Sequence, residues 1–400
     1  MSPSIESPVV YSPYAYETHE DPYPTYARLR SEAPCYRHHE LGFWALSRHA
    51  DVAAGFRDSA RLSSADGVTL DPLATGPHAH KSMSFLAMDP PRHTRMRLLV
   101  SRGFTPRRVN EMAERIRTLT LARLAPALDG EQLDLIEDLA GTLPMDVISE
   151  MIGVPPDDRH ELRRLADLLV HRDEGVHDVP AAGIEAAFAL AVYFDELIAD
   201  RRADPADDLT SALIDAEIDG DRLEGGDILG FLILMVVAGN ETTTKLLGNA
   251  CWWAWSNPSV QAAIHAGEIT IEDWVEETLR YDTSTQMLAR TAAVDFEAHG
   301  EHVRAGDRVL LLVGSANRDD DVFSEASSYQ PGRDTSASLS FGVGRHFCLG
   351  ASLARLEAQI CLAELVDRVA SIDIDASRTR RVHSINVRGF ASLPATVVPR

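Results

Sequence analysis

Phe341-Gly342-Val343-Gly344-Arg345-His346-Phe347-Cys348-Leu349-Gly350 runs straight into a long helical pattern, and Cys348 is the residue on which fold and chemistry turn. A cysteine just ahead of a helix sits beside free backbone N–H groups and the positive end of the helix dipole. Both can draw its pKa well below the ordinary value of about 8.5. Such a sulfur is expected to ionise at neutral pH and to bind metal. Gly344 and Gly350 leave no side chain on either side, so a flat cofactor can approach closely. Arg345 and His346 add cations. From Ala351 to Leu365, the apolar residues Leu353, Leu356, Ile360 and Ala363 recur at helical spacing, which predicts a helix with one face on the core.

These ten residues resemble the heme-ligand loop of the cytochrome P450 superfamily, in particular its soluble bacterial, actinobacterial-type class. The family pattern is Phe, two residues, Gly, one residue, Arg or His, one residue, Cys, one residue, Gly. Phe341, Gly344, His346, Cys348 and Gly350 occupy those positions. Chance matches are expected in on the order of one in ten thousand chains of this length. A lone cysteine is more often a small buried hydrophobe, but three further motifs in the right order weigh against that here. The resemblance implies a mainly α fold with small β-sheets, the cytochrome P450 fold. Heme b (iron protoporphyrin IX) then lies between an oxygen-binding helix and the Cys-ligand loop, with Cys348 as its axial metal ligand.

The first further motif lies between Asp227 and Asn249. Ile228 to Val237 is apolar all round and predicts a buried helix, too short at about a dozen residues to span a bilayer. It runs into Ala238-Gly239-Asn240-Glu241-Thr242-Thr243, which is similar to the family's oxygen-binding segment. The small Ala238 and Gly239 leave room over a heme. The Thr242 hydroxyl, four residues after Ala238, can bond that carbonyl and open the helix locally. The resemblance makes Thr242 the hydrogen-bond partner of oxygen and Glu241 a proton relay.

Glu277-Thr278-Leu279-Arg280 is the second motif, on a helix predicted from Ile271 to Tyr281. Alone, such a pair is a common surface ion pair. The resemblance makes Glu277 and Arg280 a brace for the heme-ligand loop. Ser328-Tyr329 stands where an Arg-Phe often completes that brace, and Ser284 replaces a frequent proline after the pair. The third motif is Met88-Asp89-Pro90-Pro91-Arg92-His93-Thr94-Arg95-Met96-Arg97, which opens a helix after a proline turn. Here the resemblance gives His93 and Arg97 as heme-propionate donors, joined by Arg290 and His346. Charge-assisted bonds to two carboxylates orient and neutralise such a cofactor.

A length of 400 residues suggests two or three domains. No linker, repeat or low-complexity block divides them, and the resemblance implies an extended lead-in over 1–22 and a single domain over 23–400. Strands are expected at Phe43 to Leu46 and at Arg308 to Val313, the latter after the turn Arg304 to Asp307. With 45% hydrophobic residues there is material for a large core. No signal peptide and no run of about eighteen apolar residues is visible, so a soluble, cytoplasmic protein with no membrane partner is expected. The four cysteines have neither zinc spacing nor a disulfide framework, which suits a reducing compartment. A net charge of −23 weighs against a nucleic-acid partner. Against that background Arg92, Arg95, Arg97, Arg102, Arg107 and Arg108 stand together. Part of this cluster, with Arg345, is expected to form a docking patch for an acidic ferredoxin.

Thiolate ligation favours O–O cleavage, and the activity implied is that of a monooxygenase. One atom of O2 enters a lipophilic small molecule by hydroxylation or epoxidation: a terpenoid, steroid, polyketide or fatty acid of secondary metabolism. Electrons come from NAD(P)H through ferredoxin reductase and ferredoxin, and a monomer is expected. The implied pocket is built from the loop between Ser63 and Phe85, from Leu234, Val237 and Ala238, from a strand Gln286-Met287-Leu288, and from a turn containing Phe390 and Ala391. Two other readings compete, a peroxide-driven peroxygenase and a noncatalytic heme-thiolate binding protein. The Glu241-Thr242 pair speaks against the first, and the lack of an output module against the second.

Overall fold

A helix of 32 residues, Gly225–Ser256, runs through the protein. It starts where the Glu224 and Asp227 side chains each accept from the other's end of the first turn, a reciprocal cap. It stops before Asn257-Pro258, because proline cannot continue the hydrogen-bond ladder. The helix is therefore longer than the dozen apolar residues predict, and long enough to cross a bilayer. Half of its most apolar window is buried inside the protein, and it carries the buried Glu241 and Lys245. The structure, a computed structural model, describes residues 9–400 apart from 131 and 219; the side chains of 102, 218 and 221 also lie outside the description. The expected basic residue Arg102 falls in that group.

Helices surround the long one: Leu143–Ile152, Arg159–Val170, Ala181–Ala203, Ile271–Tyr281 and Ala351–Arg368 all pack on it. The Ile271–Tyr281 helix has the predicted bounds, with Thr270 capping its first turn. The Ala351–Arg368 helix is more deeply buried than its periodicity predicts. Leu353 and Ile360 face the core as expected, yet so do Glu357, Cys361 and Glu364.

Strands form a separate small layer. The largest sheet orders Cys35–His38, Phe43–Leu46, Arg308–Leu311, Leu288–Ala292 and Leu62–Ser63. Phe43–Leu46 is found where expected and buried throughout. The Arg308 strand ends at Leu311, two residues early, because Val313–Ala316 turns into a helix. The expected strand Gln286-Met287-Leu288 begins only at Leu288, since the Gln286 N–H is taken by the Asn386 carbonyl. Phe390–Ser392, expected as a turn, is a short strand paired with Arg380–Arg381.

The N-terminal lead-in also differs from its expected extended form, although residues 1–8 lie outside the described residues. Tyr16–Glu20 is helical. Aromatic partners hold this segment down: Tyr16 stacks on His383 at 3.6 Å, and Tyr11 meets Tyr26 at 5.9 Å.

Candidate active site

The long helix and the loop 341–350 are two walls of one cavity of about 220 Å³. Cys348 lines it, and its backbone N–H donates to the Phe341 carbonyl at 2.9 Å, closing the loop. The sulfur is open to the cavity but has protein on every other side. That burial pushes its pKa above the ordinary thiol value, against the expected lowering. The Gly350 and Ala351 N–H groups, Arg97 and Arg355 do pull it down, but by less than desolvation raises it. A cation placed directly on the sulfur would draw its pKa down again.

Ala238, Gly239 and Thr242 line the same cavity from the long helix. The Thr242 hydroxyl donates to the Ala238 carbonyl at 2.8 Å, as its spacing predicts, while the helix stays unbroken. Ser284, singled out in the sequence only as a departure from proline, donates its hydroxyl to the Thr242 carbonyl at 2.7 Å. The threonine is therefore held from both ends.

Four predicted cationic residues converge beside the cavity. His93 and Arg290 are buried, the His93 and His346 rings lie 4.1 Å apart, and Arg97 sits over the Phe85 ring at 5.5 Å. His93 Nε2, Arg97 Nη1, Arg290 Nη2 and both His346 ring nitrogens are buried with no hydrogen-bond partner. Buried polar atoms left in this way are costly, each by roughly 1–3 kcal/mol. Burial lowers His346 to about 3 and His93 to about 4, and the neighbouring arginines push in the same direction. Without an anion beside it the His346 ring is thus held neutral, whereas the loop sequence predicts a cation. A cluster of orphaned N–H donors beside a thiol-bearing, largely apolar cavity fits a flat cofactor with two carboxylates. An added Cβ on Gly350 would meet no protein atom within 4 Å, which fits such a cofactor lying there. Gly344 serves a different purpose: its φ of +81° is a left-handed backbone conformation that favours glycine.

The predicted substrate residues divide. Phe85, Leu234, Ala238 and Leu288 line the cavity, with Phe104, Ile148 and Leu246, which no sequence signal singles out. Val237 packs against the helical core instead. Met287 is fully buried among the N-terminal tyrosines, and Gln286 bonds the Thr283 carbonyl. Phe390, Ala391 and Glu241 line a second, separate cleft on the other side of the long helix.

Glu277 and Arg280 are both fully buried and paired twice at 2.8 Å. The arm that Ser328-Tyr329 leaves unfilled comes from Arg333, whose Nε lies 3.2 Å from Glu277. Arg280 also donates to the Asn317, Ala326 and Ser328 carbonyls.

Residues 184–371 match the family model "Cytochrome P450". The chain is 53% identical over 393 residues to cytochrome P450 123 of Mycobacterium tuberculosis, covering 98% of each protein. It is 36% identical to the cytochrome P450 monooxygenase PikC of Streptomyces venezuelae, over 94% of this chain and 90% of that one. Its backbone is similar to that of CYP109E1 from Bacillus megaterium in complex with testosterone, with a TM-score of 0.88 and 30% identity over 96% of this chain and 99% of that one.

Proposed function

Because the chain belongs to the cytochrome P450 family and is a heme b monooxygenase, we propose that Cys348 holds the iron and that the substrate is a lipophilic small molecule of steroid size. One domain, 23–400, carries this activity. Bound heme supplies the activation of O2 and the transfer of one oxygen atom to substrate. The chain's own residues do the rest. His93, Arg97, Arg290 and His346 donate to the propionates, and Phe341, Ala238, Gly239 and Gly350 shape the slot. Phe85, Leu234 and Leu288 exclude water, while Thr285 offers a hydroxyl to a polar substituent. Thr242 holds a proton at Oγ1 beside the reacting atoms, and Glu241 resupplies it.

The observation that carries this reading is the meeting, in one cavity, of Cys348, the Ala238–Thr242 segment and the cluster of orphaned donors. The testosterone complex of a neighbour supports the substrate size.

The electron source is read as NAD(P)H through ferredoxin reductase and a ferredoxin, with the enzyme cytoplasmic and monomeric. Only part of the arginine cluster supports a docking patch. Arg92 and Arg95 face Asp227 at 3.8 and 3.7 Å, and Arg97 turns into the cavity. Arg107 faces Glu111 at 3.8 Å, which leaves Arg108, on a short helix packed against the one that follows Cys348, with the exposed Arg345 and Phe347 near its start.

Reconstitution with ferredoxin and reductase under ¹⁸O₂, using lipophiles chosen by spin-state shift, is expected to place one labelled atom in product. Electron delivery should slow steeply with added salt. Product formed equally well with peroxide alone, or carrying oxygen only from water, defeats this reading.

A further inference from the structure

The loop that reaches the cavity at Phe85 leans on one bare spot of the long helix. Gly230 lies one turn before the cavity-lining Leu234, and an added Cβ there would lie 2.8 Å from the Lys81 carbonyl oxygen and 3.5 Å from that of His80. Ordinary contacts between carbon atoms begin at about 3.5 Å. The atoms in the way are backbone, so no change of rotamer makes room. The short helix His80–Met83 is thus seated backbone to backbone on the long helix, and glycine at 230 permits that seat. Alanine is otherwise the better helix former, so this glycine weakens the long helix in exchange for a close approach.

Past Met83 the chain turns sharply toward the cavity. Ser84 has φ +48° and ψ −138°, a backbone region that residues with a side chain occupy only when their surroundings impose it. Its hydroxyl is buried with no hydrogen-bond partner. Nothing in Ser84 itself favours this turn, so the packing on either side holds it. The turn delivers Phe85 into the cavity wall, where its ring meets His93 at 5.9 Å and Phe231, the neighbour of Gly230, at 6.1 Å. Upstream, the same loop is fixed by Asp71, whose buried carboxylate accepts two N–H groups of Arg172 at 3.0 and 2.7 Å. Of these two anchors, the seat on Gly230 is the one next to Phe85.

We propose that Gly230 is a specificity-determining position: it sets how far Phe85 enters the cavity, and with it the bulk of lipophile that the cavity accepts. This rests on the reading that a lipophilic substrate binds at the Cys348 cavity. Gly230 is a positioning residue, since it acts through Ser84 and Phe85. A methyl group at 230 lifts the His80–Met83 helix, the strained turn at Ser84 relaxes, and Phe85 withdraws. The cavity widens on that side, while the sulfur and the Ala238–Thr242 segment, on other walls, stay in place.

Gly230→Ala and Phe85→Ala test this in the heme-loaded enzyme. Amide hydrogen exchange, which needs no turnover, should speed up across 79–87 in Gly230→Ala and stay unchanged in the cysteine loop. Unchanged exchange across 79–87 overturns the seat. Optical titration with imidazole and with the bulky N-tritylimidazole, both of which bind iron through nitrogen, then measures the room. Relative to imidazole, affinity for N-tritylimidazole should rise roughly tenfold in each variant, and no further when the two are combined, because both changes act through one ring. A merely structural loosening would weaken both probes alike and leave their ratio where it was, which overturns the proposal; so do additive gains in the combined variant. Phe85→Ala keeps the seat and tests the ring by itself, so an unaltered ratio there overturns the proposal even where Gly230→Ala does not fold. Failure of the wild type to oxygenate any lipophile touches none of these readouts and counts against the proposed function instead.

Discussion

Thr242 and Ser284 show how one hydroxyl is aimed. Left alone, a threonine in a helix turns its hydroxyl back onto the preceding carbonyl, and here it does so at 2.8 Å. In the proposed role toward oxygen the hydroxyl would leave that carbonyl while its own backbone stays in place. The Ser284 hydroxyl, on the Thr242 carbonyl at 2.7 Å, supplies the anchor. Thr242→Ala should leave substrate binding intact but divert reducing equivalents to peroxide. Ser284→Ala should do the same more weakly, because it removes only a hydrogen bond worth about 1 kcal/mol. Product formed per NAD(P)H consumed measures both. Full coupling in Thr242→Ala would remove that residue from the chemistry, and full coupling in Ser284→Ala alone would make the anchor irrelevant.

At the scale of elements, the Ile271–Tyr281 helix fixes the cysteine loop through buried polar contacts. Arg280 donates to the Asn317 carbonyl, the Asn317 amide donates to Ser340, and Ser340 donates to the Leu279 carbonyl one step before Phe341. Removing Arg280 leaves Glu277 charged and buried, which should cost roughly 3–5 kcal/mol. Arg333 lies within ion-pair distance of Glu277 without hydrogen-bond alignment, so Arg333→Ala should cost less, about 1–3 kcal/mol. Urea unfolding and heme retention report both, and equal losses would contradict the ranking. The Glu-x-x-Arg spacing announces two members of this network, because they lie three apart on one helix. Arg333 gives no such notice, since only the return of residues 317–333 over the helix brings it near. The same contrast separates Cys348 from Ser284: a loop that closes on itself in ten residues can be read locally, whereas the contact of Ser284 with Thr242, 42 positions apart, cannot. Phe390 and Ala391 went to the wrong hollow for the same reason, since periodicity says which residues are buried and not which side of a neighbouring helix they meet.

The whole molecule is tied at Asp282, just past that helix. Its carboxylate accepts from the Tyr23 hydroxyl at 2.7 Å, the Trp253 indole at 2.9 Å and Arg388 at 2.8 Å. One side chain thus joins the N-terminal region, the long helix and the C-terminal segment. Burial alone would raise its pKa, but Arg388, Arg381, Arg318 and the Tyr23 hydroxyl together hold it down at about 2, against 3.8 when free. A folded-state value below the unfolded one means stability that is complete above about 3.8 and lost as pH falls through about 2. At 1.36 kcal/mol per unit, the contribution is about 2 kcal/mol. Asp282→Asn should therefore be less stable at pH 7, because Arg388 is left buried beside a neutral amide, and should have a flatter acid limb. Urea midpoints measured from pH 6 to pH 2 should converge for the two proteins as pH falls. Parallel curves would mean that the tie holds by shape and hydrogen bonding alone, with the charge of Asp282 contributing nothing.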